Sequence, residues 1–477
     1  MDQPLKSPGL SALDDAFHLM FEASRAEPTP TLEARLDRLM RLRAAIADNE
    51  ARFEAAISAD FGHRSATETT LAETVFLLAE LKHAARHVKR WMAPRRIATA
   101  LQFMPARNRL LAQPLGVVGI IAPWNYPLQL TLAPAIGAIA AGNRVIIKPS
   151  ELTPRFAALL REIIAAKFTP AEMIITGVED EIAKVFATLP FDHLVFTGST
   201  RVGRLVAETA GRNLTPVTLE LGGKSPAIID RSADLDEAAE RIAYAKLMNA
   251  GQTCIAPDYA FVPEASVQDF ADKLQGHMRR MFGVDPANAD YTSIISERHY
   301  ARLEELASDA AAKGARIMQP ARPEDAAWKS IRKFPPTLVI GATDEMTIMQ
   351  EEIFGPLLPI IGYRETEEPI AYINRHDRPL ALYWFGKDGA ARDEVLARTV
   401  SGGVTVNDCL FHITQINQPF GGVGASGTGA YHGEWGFNAT SKLKPVFYRS
   451  PFNRLADLYP PYGSRIARLE KMLRFLS

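Results

Sequence analysis

The sequence is poor in cysteine: Cys254 and Cys409 are the two that it contains among 477 residues. Two thiols cannot build a disulfide framework, so we expect a reducing compartment and predict a cytoplasmic protein. The cysteines form no CxxC pair, and the sequence contains no HExxH segment. Because these spacings are typical of metal sites, their absence predicts that no metal is bound.

An excess of charge is also missing. The formal net charge is −1, whereas a general nucleic-acid-binding protein carries a basic surplus, so we expect no nucleic-acid partner. The first residues lack the basic flank and apolar core of a signal peptide. One uncharged run, Leu110 to Asn143, is long enough to cross a bilayer, but it is interrupted by proline at positions 114, 123, 127 and 134. A buried strand, a loop and a buried helix fit it better than an integral membrane span.

The patterns that are present indicate an α/β protein of two or three domains. Residues 11 to 93 are predicted to be helical, and one apolar face recurs through Leu71, Val75, Leu78, Leu81 and Val88. Apolar strands then alternate with helices, which predicts a doubly wound parallel sheet covered on both faces. The predicted strands are Val117–Ile121, Val145–Lys148, Met173–Thr176 and Leu194–Thr197.

After Glu220 the alternation starts again and predicts a second α/β domain. A strand at Ala227–Ile229 is followed by a helix over Leu235–Ala250, which begins with the Asp234…Glu237 spacing of a capping box. A β-prone segment from residue 97 to 111 predicts an arm or ribbon. The chain closes with a glycine-rich loop and a tail that is predicted to contain an amphipathic helix.

Two short segments carry candidate catalytic groups. Gly251-Gln252-Thr253-Cys254 places a thiol in a glycine-bearing loop, and Glu220 precedes the turn Gly222-Gly223. A cysteine attacks as the thiolate, and a carboxylate in the same pocket can activate water to release what the thiol has captured. Each residue also has an ordinary structural interpretation, since a free cysteine is usually a small buried apolar side chain.

Three further segments are candidates for ligand binding. The residues from Phe196 to Gly203 read as a strand, a glycine turn and a helix start, which could hold a phosphate but could equally be an ordinary tight turn. Lys148 and Glu151 follow a parallel strand and could contact a ribose or simply pair with each other. Asn125 follows the first strand, as an oxyanion donor or as a turn residue. The GxGxxG match at 422–427 follows no strand, so we do not predict a dinucleotide site there.

In this order the motifs resemble the aldehyde dehydrogenase superfamily, from about residue 30 to residue 450 of this sequence. They are Pro123-Trp124-Asn125-Tyr126-Pro127, Lys148-Pro149-Ser150-Glu151, Phe196-Thr197-Gly198-Ser199, Glu220-Leu221-Gly222-Gly223-Lys224, Gly251-Gln252-Thr253-Cys254 and Glu351-Glu352-Ile353-Phe354-Gly355-Pro356. Lys148-Pro149-Ser150-Glu151, Pro419-Phe420-Gly421-Gly422 and Tyr431-His432-Gly433 resemble the class 3-type branch, which is usually dimeric. Within it the chain is similar to bacterial enzymes that oxidise coniferaldehyde.

The resemblance implies a role for each matching residue. Cys254 would be the nucleophile, Glu220 the general base and Asn125 an oxyanion donor. NAD, or NADP, would be held by Lys148, Glu151, Gly198, Ser199, Gly203, Glu352 and Phe354. The substrate tunnel would contain Tyr126, Met248, Thr253, Leu410, Thr414, Phe420 and His432.

The resemblance also implies a domain plan and an activity. Residues 1–95 and 110–218 would bind NAD, 96–109 and 440–450 would form an oligomerisation arm, and 219–415 a catalytic domain. Residues 416–439 would be a glycine-rich loop near the active site, and 451–477 a helical tail. The activity implied is NAD(P)-dependent oxidation of an aldehyde to its carboxylic acid by a homodimer, on an aromatic aldehyde such as coniferaldehyde. Oxidation of a medium- or long-chain fatty aldehyde, a coenzyme A-acylating reaction, a thiol esterase and a non-catalytic binding protein are also compatible with parts of the pattern.

Overall fold

The structure, a computed structural model, describes residues 8–322, 325–452 and 459–462, together with residues 466, 470, 471 and 474. Most of the amphipathic helix predicted in the tail 451–477 therefore lies outside the described residues. Within those ranges, no helix combines the length and apolar character needed to cross a membrane.

The chain begins with helices, as the apolar spacing predicts. A π turn, Thr70–Val75, interrupts them and changes the face that points inward. As a result Leu71 and Val75 are 56% and 49% exposed, and Glu73 is buried in their place. The prediction that both apolar residues share the buried face is therefore wrong, because a π turn has more residues than the 3.6 of the α-helical pattern. The helices are Pro8–Ala26, Leu32–Ala47, Glu50–Phe61, Ala66–Thr69 and Phe76–Met92.

The first large sheet confirms the predicted doubly wound α/β domain. Its spatial order begins with a short antiparallel edge strand and continues with five parallel strands: Gly427–Thr428, Val217–Leu221, His193–Gly198, Val117–Ile121, Arg144–Lys148 and Met173–Ile175, counted over the described residues. The chain enters at Val117–Ile121, builds outward on one side and then crosses to the other. The carboxyl ends of Val117–Ile121 and His193–Gly198 therefore meet at a topological switch point, where ligands bind in such sheets. The covering helices are Pro127–Ala141, Pro154–Lys167, Asp180–Val185 and Thr200–Arg212.

A second α/β unit follows, as predicted. Its sheet has seven strands within the described ranges, in the order Arg316–Met318, Thr337–Ile340, Leu357–Tyr363, Tyr259–Pro263, Pro226–Ile229, Ala381–Phe385 and Gly403–Val406. The boundary predicted between residues 218 and 219 falls inside Val217–Leu221, which pairs with the first sheet. Glu220 therefore belongs to the first sheet. The helices of this unit are Leu235–Leu247, Val267–Phe282, Glu297–Ala312, Ala326–Lys329, Thr347–Gln350, Glu367–Arg375 and Gly389–Arg398.

A three-stranded ribbon, counted in the described part of the chain, corresponds to the predicted arm. Arg107–Pro114 is its central strand, with Arg95–Ile97 on one side and Ser441–Tyr448 on the other. The predicted limits at 96–109 and 440–450 are therefore displaced, because the ladder continues as far as Pro114. The segment 416–439, predicted as a loop, also contains the helix Gly433–Ala439. Gly436 of that helix packs so closely on Gly137 that a Cβ on Gly137 would lie 2.8 Å from the Gly436 backbone.

Candidate active site

A cavity of about 570 Å³ opens at the switch point of the first sheet. Residues from both α/β units line it, so the fold brings together motifs that are far apart in the sequence. Seven of the predicted site residues share this cavity: Asn125, Gly198, Ser199, Glu220, Cys254, Glu352 and Phe354. A thiol, a carboxylate and an amide therefore face one space.

A strained turn delivers Cys254 to the cavity. The helix that starts at Leu235 ends at Leu247, and Asn249 and Ala250 both have φ of 52°. The prediction that this helix continues to Ala250 is wrong, because the chain must leave it to turn back toward the cavity. Gly251 has φ of 75°, and a Cβ there would lie 2.3 Å from the Gly355 carbonyl oxygen. This position therefore requires glycine for two reasons.

The side chain of Gln252 anchors the same turn. Its amide donates to the carbonyl oxygens of Asn249 at 3.0 Å and Ser293 at 3.1 Å, and its side-chain oxygen accepts from the Ile295 N–H at 2.9 Å. Gln252 is fully buried. These bonds satisfy the buried polar groups of the Gln252 side chain, and they fix the turn that carries Cys254.

The Cys254 thiol sits in an environment that favours its protonated form. Burial, together with the negative charges of Glu352 and Glu220, raises the pKa of Cys254 to about 12. The backbone N–H groups of Cys254 and Ile255 act in the opposite direction, because they hydrogen-bond to the sulfur. A neighbouring base is therefore needed to generate the nucleophilic thiolate.

Asn125 approaches the cysteine turn from the first sheet. Its side-chain nitrogen donates to the Gln252 carbonyl at 3.2 Å, and its own carbonyl accepts from the side chains of Arg64 at 3.1 Å and Asn249 at 2.9 Å. A side-chain amide carries two N–H groups. One is used by Gln252, and the second remains for a ligand in the cavity.

A buried ion pair that no sequence motif indicated supports Asn125. Glu73 accepts hydrogen bonds from the N–H groups of Leu128 at 2.6 Å and Gln129 at 3.1 Å, at the first turn of the helix Pro127–Ala141. The guanidinium of Arg64 lies 2.8 Å from Glu73, and both side chains are fully buried. The negative charge at the helix N-terminus and the cation above it fix the loop that carries Asn125.

Glu220 lies on the strand Val217–Leu221 and is buried. Neither oxygen of its carboxyl group has a hydrogen-bond partner among the described residues. Burial raises the pKa of Glu220 well above its usual value. A carboxylate with a raised pKa is a stronger base near neutral pH, so Glu220 is suited to take a proton from a thiol or from water.

Glu352 faces the same cavity and packs on the glycine turn. A Cβ on Gly222 would lie 1.8 Å from its carboxylate, so the carboxylate can hold this position only beside a glycine. Burial and the charge of Asp258 raise the pKa of Glu352 to about 8, whereas the Gly223 N–H hydrogen bond lowers it. Lys224 holds the surrounding segment by donating to the Glu351 carbonyl at 3.0 Å.

Three cavity residues on the helix Glu297–Ala312, namely Arg298, His299 and Arg302, were missed by the sequence reasoning. Arg302 donates to the carbonyls of Glu352 at 2.5 Å and Ile353 at 2.7 Å, and the His299 ring lies 5.2 Å from Trp124. The helix contains no motif, and its charged residues resemble an ordinary solvated face. The available signal was the Arg298 and Arg302 pair at helical spacing, which is too common to identify a site.

Three cofactor candidates, Lys148, Glu151 and Gly203, do not line the cavity, whereas Ser199 does. Lys148 is buried at the end of its strand, with its ammonium 3.1 Å from the Glu151 carboxylate. Ser199 caps the helix Thr200–Arg212 by accepting from the Val202 N–H at 3.4 Å. A Cβ on Gly203 would lie 2.5 Å from the Leu221 side chain, so Gly203 serves helix–strand packing.

The predicted tunnel residues lie outside this cavity as well. The Tyr126 and Thr253 hydroxyl groups are 2.7 Å apart, and both residues are buried. The ring of His432 stacks on Phe420 at 5.5 Å. Three more complete the set, namely the partly buried Met248, the buried Leu410 and the exposed Thr414.

The helix N-terminus at Thr200 supplies N–H groups at the cavity wall, and Glu352 supplies a carboxylate. These groups fit the pyrophosphate and a ribose of a dinucleotide. A comparison with protein families matches residues 10–446 to the Aldehyde dehydrogenase family. The chain belongs to this family.

Similar proteins agree with that result. This aldehyde dehydrogenase is 47% identical over 460 residues to a probable coniferyl aldehyde dehydrogenase of Pseudomonas aeruginosa, covering 96% of each chain. It is 45% identical over 469 residues to a coniferyl aldehyde dehydrogenase of a Pseudomonas species, covering 98% of this chain and 97% of the other. The solved structure of a substrate-bound state of Staphylococcus aureus AldH superposes with a TM-score of 0.92 at 36% identity, covering 97% and 99% of the two chains.

The family establishes the general reaction. This enzyme oxidises an aldehyde to the carboxylic acid and uses NAD or NADP. The predictions of the family, the α/β fold, the enzyme class and the cofactor class are therefore confirmed. The role of each site residue is a separate question.

Proposed function

We propose that the enzyme oxidises an aromatic or phenylpropanoid aldehyde such as coniferaldehyde, with Cys254 as nucleophile, Glu220 as general base and Asn125 as oxyanion donor. The observation that carries the residue roles is that all three line one cavity. The names of the two Pseudomonas relatives support the substrate. Aromatic residues at the predicted tunnel, Tyr126 and Phe420, suit a planar substrate and equally suit an alkyl chain.

The chemistry follows from the position of each group. Glu220 removes the thiol proton, and the Cys254 thiolate adds to the aldehyde carbon. Asn125 and the Cys254 N–H stabilise the resulting oxyanion. After oxidation, Glu220 deprotonates a water molecule, which hydrolyses the thioester and releases the acid.

When bound, NAD(P) supplies the nicotinamide that accepts the hydride. Glu352 would hold the nicotinamide ribose, and Phe354 would contact that end of the cofactor. Lys148 and Glu151 would contact the adenosine ribose, while Gly198 and Ser199 would border the pyrophosphate. Because the Glu151 carboxylate repels a 2′-phosphate, we expect NAD to be preferred over NADP.

A cytoplasmic homodimer is part of this proposal. The ribbon formed around Arg107–Pro114 exposes apolar side chains, with Ile97 46% and Phe447 46% accessible. A ribbon of this kind is suited to pair with a second copy. Both cysteines are free thiols, which fits a reducing compartment.

The test is a substrate comparison. The purified enzyme is mixed with NAD, and absorbance of the reduced cofactor is followed with coniferaldehyde, benzaldehyde, hexanal and decanal. A kcat/KM at least about tenfold higher for coniferaldehyde, roughly 1.4 kcal/mol of transition-state preference, supports the proposal. A higher kcat/KM for hexanal or decanal would indicate that fatty aldehydes are the preferred substrates.

Two controls test the nucleophile and the fate of the thioester. Cys254→Ala should abolish dehydrogenase activity, and a variant that keeps most of its turnover would refute the nucleophile. Acyl-CoA formed on addition of coenzyme A would identify an acylating enzyme, in which Glu220 has no water to activate. Absence of reduced cofactor with every aldehyde would favour a binding protein.

A further inference from the structure

Three buried titratable residues that lie close together have no part in the chemistry described so far. They are Tyr431, His432 and Glu80, with exposures of 3%, 1% and 1%. Buried polar groups normally have hydrogen-bond partners, so a cluster without them needs an explanation.

The cluster begins beside the general base. Gly427 pairs with Glu220 across the antiparallel edge of the first sheet, and the same loop returns to bring Tyr431 against Phe420. The Tyr431 hydroxyl has no hydrogen-bond partner among the described residues. Burial raises the pKa of Tyr431, and the negative charges of Glu220, Cys254 and Glu80 raise it further. The phenol therefore lies within the electrostatic reach of two carboxylates.

His432 continues the cluster away from Glu220. Its ring centroid is 4.4 Å from that of Tyr431, and it is held between Phe420 at 5.5 Å and Phe76 at 5.3 Å. Both ring nitrogens lack a hydrogen-bond partner in the described ranges. Burial lowers the pKa of His432 to about 3, so the ring is neutral. A neutral imidazole can accept a proton at one nitrogen and release one from the other.

Glu80 and the partly exposed His83 lie next to Gly433, which follows His432 in the chain. Glu80 accepts a hydrogen bond from the Gly433 N–H, and burial raises the pKa of Glu80 to about 8. Its second oxygen has no partner within the described residues. A Cβ on Gly433 would lie 3.5 Å from the ring nitrogen of His83, which is partly exposed and whose ring is 4.1 Å from that of His87.

We infer that Tyr431, His432 and Glu80 form a proton-transfer route that connects Glu220 to solvent at His83 and His87. The inference rests on the proposed role of Glu220 as the base. A buried carboxyl group that takes a proton from water in each turnover must lose it before the next one. Small side-chain rotations or bridging water molecules would join these unpartnered atoms into a hydrogen-bonded chain.

The protons balance over one turnover. Glu220 removes one proton from the attacking water, hydroxide adds to the thioester carbon, and the carbon–sulfur bond breaks to give the carboxylic acid and the Cys254 thiolate. Glu220 then passes its proton to the Tyr431 oxygen as the phenol proton moves to His432. His432 releases a proton from its other nitrogen to Glu80, which delivers it to His83. The thiol proton that Glu220 takes from Cys254 leaves by the same route before water is deprotonated, and the Cys254 thiolate regains one proton at the end. The net release is therefore one proton for each aldehyde oxidised, besides the proton that the product acid loses in solution. Rotation of the His432 ring, the Tyr431 hydroxyl group and the Glu80 carboxyl group then restores the starting state.

The test compares the two products of a turnover in rapid mixing. Reduced cofactor is followed by absorbance and proton release by a pH indicator, in the full-length enzyme with NAD and its best aldehyde. Tyr431→Phe removes an oxygen that makes no hydrogen bond, so it should keep the fold, and Glu80→Gln keeps the shape of its side chain. Both variants should show a first-turnover burst of reduced cofactor within twofold of the unmodified enzyme. Proton release and steady-state kcat should fall by about a hundredfold, the lower limit for loss of a proton-transfer group.

A solution base distinguishes a blocked route from a damaged structure. Imidazole enters through the cavity and accepts the proton directly, so the kcat of both variants should rise with imidazole concentration at constant pH. Tyr363→Phe is the matched control, because it removes a buried phenol whose hydroxyl bonds to Ile229 in the second sheet, and it should leave all three measurements unchanged. Unaltered proton release in both route variants, or a burst that falls in step with kcat and is insensitive to imidazole, would overturn the route. No reduced cofactor from the unmodified enzyme would instead contradict the proposed function.

Discussion

Replacement of Asn125 by alanine tests the oxyanion assignment most directly. In the structure the Asn125 amide donates to the Gln252 carbonyl at 3.2 Å, and its second N–H is the one proposed to bind the oxyanion. The substitution removes both N–H groups and leaves the backbone carbonyl of residue 125, which receives Arg64 and Asn249, in place. The loop geometry should therefore survive.

The two lost hydrogen bonds differ in size. Loss of one oxyanion donor typically lowers kcat by about 100- to 1000-fold, or about 2.7–4 kcal/mol of transition-state stabilisation. Loss of the hydrogen bond from Asn125 to Gln252 should cost less, because the Gln252 carbonyl still accepts from Asn249 at 3.1 Å. We expect a loss of only about 1 kcal/mol in the free energy of unfolding.

The assay measures kcat with the best aldehyde, the dissociation constant for NAD by titration, and unfolding in urea. Asn143→Ala serves as the matched control: this buried asparagine bonds to Gly116, Ala138 and Thr440 and does not line the cavity. It should destabilise the protein more than Asn125→Ala and leave kcat within a few-fold. If Asn125→Ala keeps more than a tenth of the original kcat with normal NAD affinity, the oxyanion role is refuted.

Three further changes test separate parts of the structure. Gly222→Ala places a methyl group where the Glu352 carboxylate now lies, 1.8 Å away, and should weaken NAD binding in titration about tenfold, as loss of one charged hydrogen bond implies. Arg64→Met leaves the fully buried Glu73 carboxylate without its cation and should lower the free energy of unfolding in urea by about 3–5 kcal/mol. A loss below about 1 kcal/mol would contradict a structural role for this ion pair. Burial alone would raise the pKa of Glu172, but hydrogen bonds from Arg41 and Thr169 outweigh it and lower the pKa to about 2. Because the pKa is lower in the folded state, ionised Glu172 adds about 3 kcal/mol to the free energy of unfolding above about pH 4.5, and this contribution is lost as the pH falls toward 2. The free energy of unfolding, measured between pH 6 and 3, should therefore depend less on pH in Glu172→Gln.

The features that could be predicted from the sequence are those determined by residues close together in the chain. Apolar strands followed by helices indicated the doubly wound domain, and polar residues at or just beyond strand ends, such as Lys148 and Asn125, led to the prediction of a ligand-binding edge there. Gly251 was also visible in the sequence, and the close approach of the Gly355 backbone explains why a glycine stands there. Such signals depend on neighbours in the sequence, so a single chain reveals them.

The unpredictable part depends on contacts between distant segments. Arg64 and Glu73 read as surface charges on a helix, yet a π turn rotates Glu73 into the core, where it caps the helix Pro127–Ala141. Arg302 likewise reads as a solvated residue until the Glu352 segment packs on it. Neither outcome follows from periodicity, because the partner lies about 50 residues away in both cases.

The turn before Cys254 shows why local rules fail at this site in particular. Asn249 and Ala250 adopt a left-handed backbone that costs about 1–2 kcal/mol for a residue with a Cβ. Glu68 offsets this cost by accepting from the Asn249 N–H at 3.0 Å, and the Asn249 side chain bonds to the Asn125 and Gln252 carbonyls. The strain breaks a helix that the sequence favours, and it presents the thiol to the cavity beside the amide that is proposed to stabilise its adduct. A helix continued to Ala250 would have removed the positive-φ turn on which this placement depends.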